Sequence, residues 1–292
     1  MGESKTRKRR VGIIGNGHLG QFLRHELTKS DQFTVEKIWN RSEDERENVL
    51  PLTELNEENL KDIDLVIEVA HPQVVENFAA LILKHADFFI GSPTALANKQ
   101  LYDTIQGLLK THNERAVYIP SGAFWGASDV KKMADLKTLS SMQITMIKHP
   151  SSFKVKPPLD NLCKQALSGN APVVLYEGPV RTLCSLAPNN VNRIQVFLSK
   201  DKFLGQHNGR SGNWLLLHNL GFDKTMAKLI ADPAIKDWHI VEYEIKGDNG
   251  FYIKLRRENP AKQGAITGSV TYFSFLSSVI ETLHKPPGFN LC

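Results

Sequence analysis

Two short stretches of this chain place glycines and polar side chains at spacings that suit chemistry. The first is Arg9-Arg10-Val11-Gly12-Ile13-Ile14-Gly15-Asn16-Gly17-His18-Leu19-Gly20, where an apolar run leads into Gly-x-Gly-x-x-Gly. Gly15 permits a tight turn off a strand. Gly17 lets the backbone approach a phosphate with no Cβ in the way, and Gly20 lets a helix pack close to that strand. A helix opening at His18 and Leu19 offers free N–H groups and the positive end of its dipole to an anion. This order predicts that Gly15, Gly17, His18, Leu19 and Gly20 hold the pyrophosphate of a nicotinamide dinucleotide. Three glycines in six residues also occur as a plain turn, so the context decides.

The second stretch is Asn40-Arg41-Ser42, twenty residues past Gly20, where the residue that reads the cofactor ribose belongs. A carboxylate there bonds the ribose 2′-hydroxyl and repels a 2′-phosphate. This chain has an amide, a guanidinium and a hydroxyl instead, which suit a phosphate. The expected cofactor is therefore NADP or NAD, with Asn40 and Arg41 as contacts. Arg41 otherwise reads as a solvated loop residue.

The elements around these residues follow the pattern of a dinucleotide fold. Leu19, Phe22, Leu23 and Leu27 keep helical spacing, and Phe33–Trp39 reads as the next strand. Asp64–Ala70 is a nearly continuous apolar strand, as in a parallel sheet covered on both faces. A helix from about Gln73 to His85, a strand at Phe88–Gly91, a turn at Ser92-Pro93-Thr94, a helix over Gln100–Thr111 and a strand at Ala116–Pro120 follow. Such alternation implies a doubly wound sheet.

Beyond Pro120 the character changes. A small-residue loop, Ser121–Ala127, runs into a helix. Period-two alternation at Met142–Lys148, Trp238–Lys246 and Phe251–Arg257 implies an antiparallel or mixed sheet with helices on one face. The apolar stretch Val270–Leu283 is long enough to favour a helix. The fold class expected is α/β, a Rossmann sheet plus a second α+β domain with a mixed sheet. The domain boundaries fall at 1–122 and 123–268.

Composition is that of an ordinary folded chain: 41% hydrophobic, 23% charged, net charge +5 over 292 residues. No run is long enough to span a bilayer, and Met1–Arg10 is charged with no apolar segment behind it, so no secretory signal is expected. The basic leader lacks the aromatic interleaving of a nucleic-acid surface. Cys163, Cys184 and Cys292 are scattered, show no metal spacing and fit a reducing cytoplasmic setting. No metal, membrane or nucleic-acid partner is expected.

Residues along the whole chain resemble the L-aspartate dehydrogenase family, most closely its animal branch. They are the glycine turn, Ser121-Gly122-Ala123, Ala187-Pro188-Asn189-Asn190-Val191-Asn192, Asp232-Pro233 with His239, and Glu258-Asn259-Pro260 followed by Thr267-Gly268. The resemblance implies cofactor contacts at Ala123 and Asn192 and a catalytic histidine at His239. It also implies a last helix, about 269–284, that returns to the first domain, a dicarboxylic amino acid as substrate, and a homodimer. Oxidising an amine carbon while water adds to the resulting imine needs a group that cycles its proton near neutrality, which histidine does. By strand parity alone, His239 lies with Val241, Tyr243 and Ile245 and also reads as a core histidine. Lys148-His149, Arg181 and Arg256-Arg257 are the candidate cations for the substrate carboxylates, and composition does not choose among them.

One segment, 193–219, departs from the family. Where small residues pack a helix near the cofactor, this chain has Arg193, Phe197 and a basic, Gly- and Asn-rich run. It reads either as a lineage-specific insertion or as translated non-coding sequence. Two further readings of the chain follow: a non-catalytic NADP-binding sensor or scaffold, and a related two-domain NAD(P)H reductase.

Overall fold

The protein is described by a computed structural model that covers residues 7–122, 124–187, 221–264 and 270–292. Ala123, Asn192, the segment 193–219 and Thr267-Gly268 lie outside the described residues. In chain order the elements begin with β1 (Arg9–Ile14), α1 (His18–Thr28), β2 (Phe33–Asn40), β3 (Val49–Pro51), α2 (Glu57–Leu60) and β4 (Leu65–Glu68). Next come α3 (Pro72–His85), β5 (Asp87–Ile90), α4 (Lys99–Thr111), β6 (Ala116–Ile119), α5 (Ala127–Asp135), β7 (Leu139–Lys148) and α6 (Leu159–Ser168). The remainder is β8 (Val173–Pro179), α7 (Val180–Leu186), α8 (Gly221–Lys224), β9 (Met226–Ala231), β10 (Trp238–Gly247), β11 (Tyr252–Pro260), α9 (Val270–Glu281) and β12 (Gly288–Leu291). The chain divides into two compact units, Met1–Pro120 with Phe275–Cys292, and Ser121–Ser274.

The first unit is built on a seven-stranded sheet in the order β12-β6-β5-β4-β1-β2-β3. Every neighbouring pair is parallel. The central strands are buried along their length, Leu65, Val66 and Ile67 on β4 and Phe88, Phe89 and Ile90 on β5 all being fully buried. Burial of both faces is why these strands read as continuous apolar runs and not as alternating ones. Helix starts are set locally: the Asn98 side chain accepts from the N–H groups of Gln100 and Leu101 at the start of α4, and Pro72 opens α3 behind a His71 cap. Phe275 and Val279 of α9 join Val11, Ile13, Leu23, Leu27 and Phe89 in one core. The Phe89 and Phe275 rings lie 6.2 Å apart.

The second unit carries a five-stranded sheet in the order β11-β10-β7-β9-β8. It is mixed: β7 pairs with β9 in parallel, while β10 runs antiparallel to β7 and β11. One face is apolar, with Met142, Ile144, Met146, Ala227, Leu229, Val241, Tyr243 and Ile245 buried. The Phe124 ring stands edge-on to Tyr243 with centroids 4.4 Å apart.

Several local expectations are corrected. The run Asp64–Ala70 is a strand only over Leu65–Glu68. Ser92-Pro93-Thr94 opens a one-turn helix, Pro93–Ala97, and not a simple turn. The third alternating segment extends to Pro260 and so brings Asn259 into β11. Strands β3, β8, β9 and β12 had no distinct signal. Three of them are six residues or fewer, and β8 ends in Gly178-Pro179, which reads as punctuation. Among the described residues no helix is long and apolar enough to cross a membrane.

Candidate active site

The glycine turn is built as its sequence requires. Gly15 leaves β1 with φ +115°, a conformation that L side chains rarely adopt, and its N–H donates to Trp39 O at 2.8 Å. A Cβ at Gly20 would stand 1.9 Å from Gly15 O, so only glycine lets α1 pack this close. A Cβ at Gly17 would meet nothing within 4 Å. That openness faces whatever approaches the helix start. Gly17 is the N-cap of α1, makes no side-chain cap, and no acidic residue lies in the first turn. The first helical bond runs from Gln21 N to Gly17 O at 2.9 Å, so the N–H groups of His18, Leu19 and Gly20 precede it at the helix end. This combination of tight glycine turn, open approach, uncapped N–H groups and positive dipole fits a pyrophosphate.

Asn40 ends β2, and Arg41 and Ser42 follow it, exposed. The chain then folds back through paired backbone bonds between Asp44 and Val49. Glu47, in this return, accepts from Asn16 of the glycine turn and from Arg24 of α1, both at 3.2 Å.

Sequence reasoning missed Glu68. Its fully buried carboxylate closes β4 and accepts from the N–H groups of Ala70 (2.7 Å), His71 (2.9 Å) and Ser92 (2.8 Å), and from the Ser92 hydroxyl (2.9 Å). It thereby fixes the loops that follow β4 and β5, on the side of the sheet where Gly15 packs against Val69. The signal was available: an acidic residue inside an otherwise apolar strand.

In the second unit His239 lies on β10 and is 5% exposed. Its neighbours across the sheet are Lys148 on β7 and Asn259 on β11, both buried. The Asp232-Pro233 turn is tied to this end of the sheet. Asp232 N donates to Lys148 O at 2.9 Å, and the Asp232 carboxylate accepts from Ala234 N at 2.9 Å. Asn259 Nδ2 lies 3.5 Å from His239 O. Burial alone pushes the Lys148 ammonium down to about 7.

A parallel sheet with this glycine turn defines the dinucleotide-binding class of α/β folds, and here a second unit with a mixed sheet accompanies it. The family description "Homoserine dehydrogenase, NAD binding domain" matches residues 11–120, and "Aspartate dehydrogenase, C-terminal" matches 129–199 and 213–278. An aspartate dehydrogenase domain-containing protein of Danio rerio is 37% identical, over 93% of this chain and 94% of that protein. An L-aspartate dehydrogenase of Methanococcoides burtonii is 29% identical, over 94% and 96%. The crystal structure of an aspartate dehydrogenase from Thermotoga maritima superposes with a TM-score of 0.66 at 22% identity, over 95% of this chain and 96% of that one. The chain belongs to the aspartate dehydrogenase family.

Proposed function

We propose that this protein catalyses the NAD(P)-dependent oxidative deamination of L-aspartate, through iminoaspartate, to oxaloacetate and ammonia. The observation that carries this reading is the family match along both units, together with an open glycine turn in one and the buried His239 in the other.

The turn residues Gly15, Gly17, His18, Leu19 and Gly20 would hold the pyrophosphate, and Asn40 and Arg41 the ribose side, with Ala123 and Asn192 as further contacts from the resemblance. When bound, the dinucleotide supplies the hydride acceptor. The chain's own residues do the rest. His239 acts as acid and base. It accepts a proton from the substrate ammonium and releases it to solvent. It takes one from the water that adds to the iminium carbon and returns it to the nitrogen. It then takes the hydroxyl proton as ammonia leaves and the ketone forms, and passes that proton to the ammonia. Its strand position holds the imidazole among buried neighbours, which restricts its orientation.

The ligand partner is a small dicarboxylic amino acid. A homodimer is part of this proposal, on the family resemblance alone, and a cytoplasmic site fits the three buried free cysteines. Residues 200–212, which interrupt the C-terminal family match shortly after Asn192, favour one other reading: a dinucleotide-binding protein that has lost turnover.

The test of the His239 assignment is H239A, assayed with L-aspartate under saturating cofactor. Loss of kcat by roughly 10²–10⁴-fold with dinucleotide affinity intact is expected. Unchanged kcat would remove His239 from the chemistry.

A further inference from the structure

The face of the second sheet that carries His239 changes character at one end. Along most of its length it is apolar, with Met142, Ile144 and Met146 on β7 set against Val241, Tyr243 and Ile245 on β10. In its last row the register places Lys148, His239 and Asn259 side by side on β7, β10 and β11, and none is more than 5% exposed. Cross-strand partners project from the same face, with Cβ atoms roughly 4.5–5.5 Å apart. A methionine or leucine would fill the lysine's place on such a face at lower cost, because an ammonium loses hydration when buried. Function at the site is a physical reason to bear that cost.

We propose that this row is a carboxylate-binding subsite. The Lys148 ammonium is the charge partner of one carboxylate of a dicarboxylic ligand, and the Asn259 carboxamide, which gives one N–H to His239 O, supplies its second N–H as a donor on the other side of His239. The inference deepens the dehydrogenase reading and rests on it for the identity of the natural ligand. The other cations offered by composition are placed differently. Arg181 is engaged by Asp223 through two nitrogens, at 2.5 and 3.0 Å. Arg256 falls on the opposite face of β11 from Asn259 and is held by Glu242 and Glu258. The His149 ring is turned to Ser151, 2.8 Å away. Arg257 shares the face of Asn259 but stands opposite Val241 and is only half-buried. Lys148, whose ammonium lies 5.8 Å from the Phe153 ring centroid, is both buried and directly opposite His239.

Succinate is the probe, because it carries two carboxylates and no oxidisable amine. Its affinity is measured by calorimetry on the full chain with saturating dinucleotide, for the parent, K148M, K148Q and K148R. A single cooperative thermal transition at or above the parent's temperature shows which charge-removing variant has kept its fold. The subsite predicts succinate affinity at least tenfold weaker in K148M or K148Q, substantial recovery in K148R, and a matching rise in KM for L-aspartate that exceeds any fall in kcat. Parental affinity in a folded charge-removing variant overturns it, as does absence of succinate binding by the parent. Lys148-dependent succinate binding without oxidation of L-aspartate would leave the subsite standing and remove the dehydrogenase reading. Turnover with a KM indifferent to Lys148 would do the reverse.

Discussion

Gly20 and Gly15 meet so closely that a Cβ on Gly20 would stand 1.9 Å from the Gly15 carbonyl oxygen, whereas a Cβ on Gly17, between them in sequence, would touch nothing within 4 Å. Two glycines of one motif thus serve different ends. G20A forces backbone apart and is expected to lower stability by about 1–3 kcal/mol or more, seen as a reduced melting temperature without ligand. G17A is expected to leave that temperature unchanged and to weaken dinucleotide binding, because its new methyl occupies the approach to the helix start. Equal destabilisation by both would contradict the division of roles.

Arg41 tests the cofactor preference. If its guanidinium takes a 2′-phosphate, R41A weakens NADP binding by about tenfold or more, the worth of one charge-assisted bond, and leaves NAD almost untouched. Titration of both cofactors into both proteins measures this. Equal effects on the two would make Arg41 a solvated loop residue.

Glu68 tests the frame. Its carboxylate accepts from the N–H groups of the exposed residues Ala70 and His71 and from the N–H and hydroxyl of half-buried Ser92. E68A removes these acceptors, and each donor left buried without a partner costs about 1–3 kcal/mol. A fall in melting temperature of several degrees is expected, with E68Q intermediate because one oxygen remains. A neutral E68A would mean that the loops after β4 and β5 are held by other contacts.

Lys148 gives a pH dependence of stability with a definite sign. Its folded value, about 7, lies below the ordinary 10.5. Between those values the unfolded chain binds the extra proton, so stability rises with pH across that window. Below pH 7 the cost of the buried ammonium is complete, and above 10.5 it is gone. In the absence of a carboxylate ligand, K148M is therefore expected to melt higher than the parent at pH 6–7, with the gap closing as pH rises towards 10. Thermal melts across pH measure the gap.

Much of the fold was legible because its signals are local. A glycine turn after an apolar run, a Val- and Ile-rich strand at Leu65–Glu68, and period-two alternation around His239 each sit within about ten residues. What escaped depends on distant pairing. The burial of Lys148 follows from its place opposite His239, a partner far along the chain, so in sequence it looked like any other cation. Strand β12 is four residues after a Pro-Pro-Gly, too short to show a period, and takes its identity from pairing with β6. Glu68 was visible as an acid in an apolar run, but its role appears only when Ser92 folds back onto it.

The central claim, that this chain oxidises L-aspartate with a nicotinamide dinucleotide, is tested most directly by one absorbance trace. Purified full-length protein is mixed with L-aspartate and NAD or NADP at alkaline pH, and reduced nicotinamide is followed with time. A steady rise that requires L-aspartate and is abolished in H239A is the predicted result. A flat trace from parent protein that demonstrably binds the dinucleotide would contradict the claim.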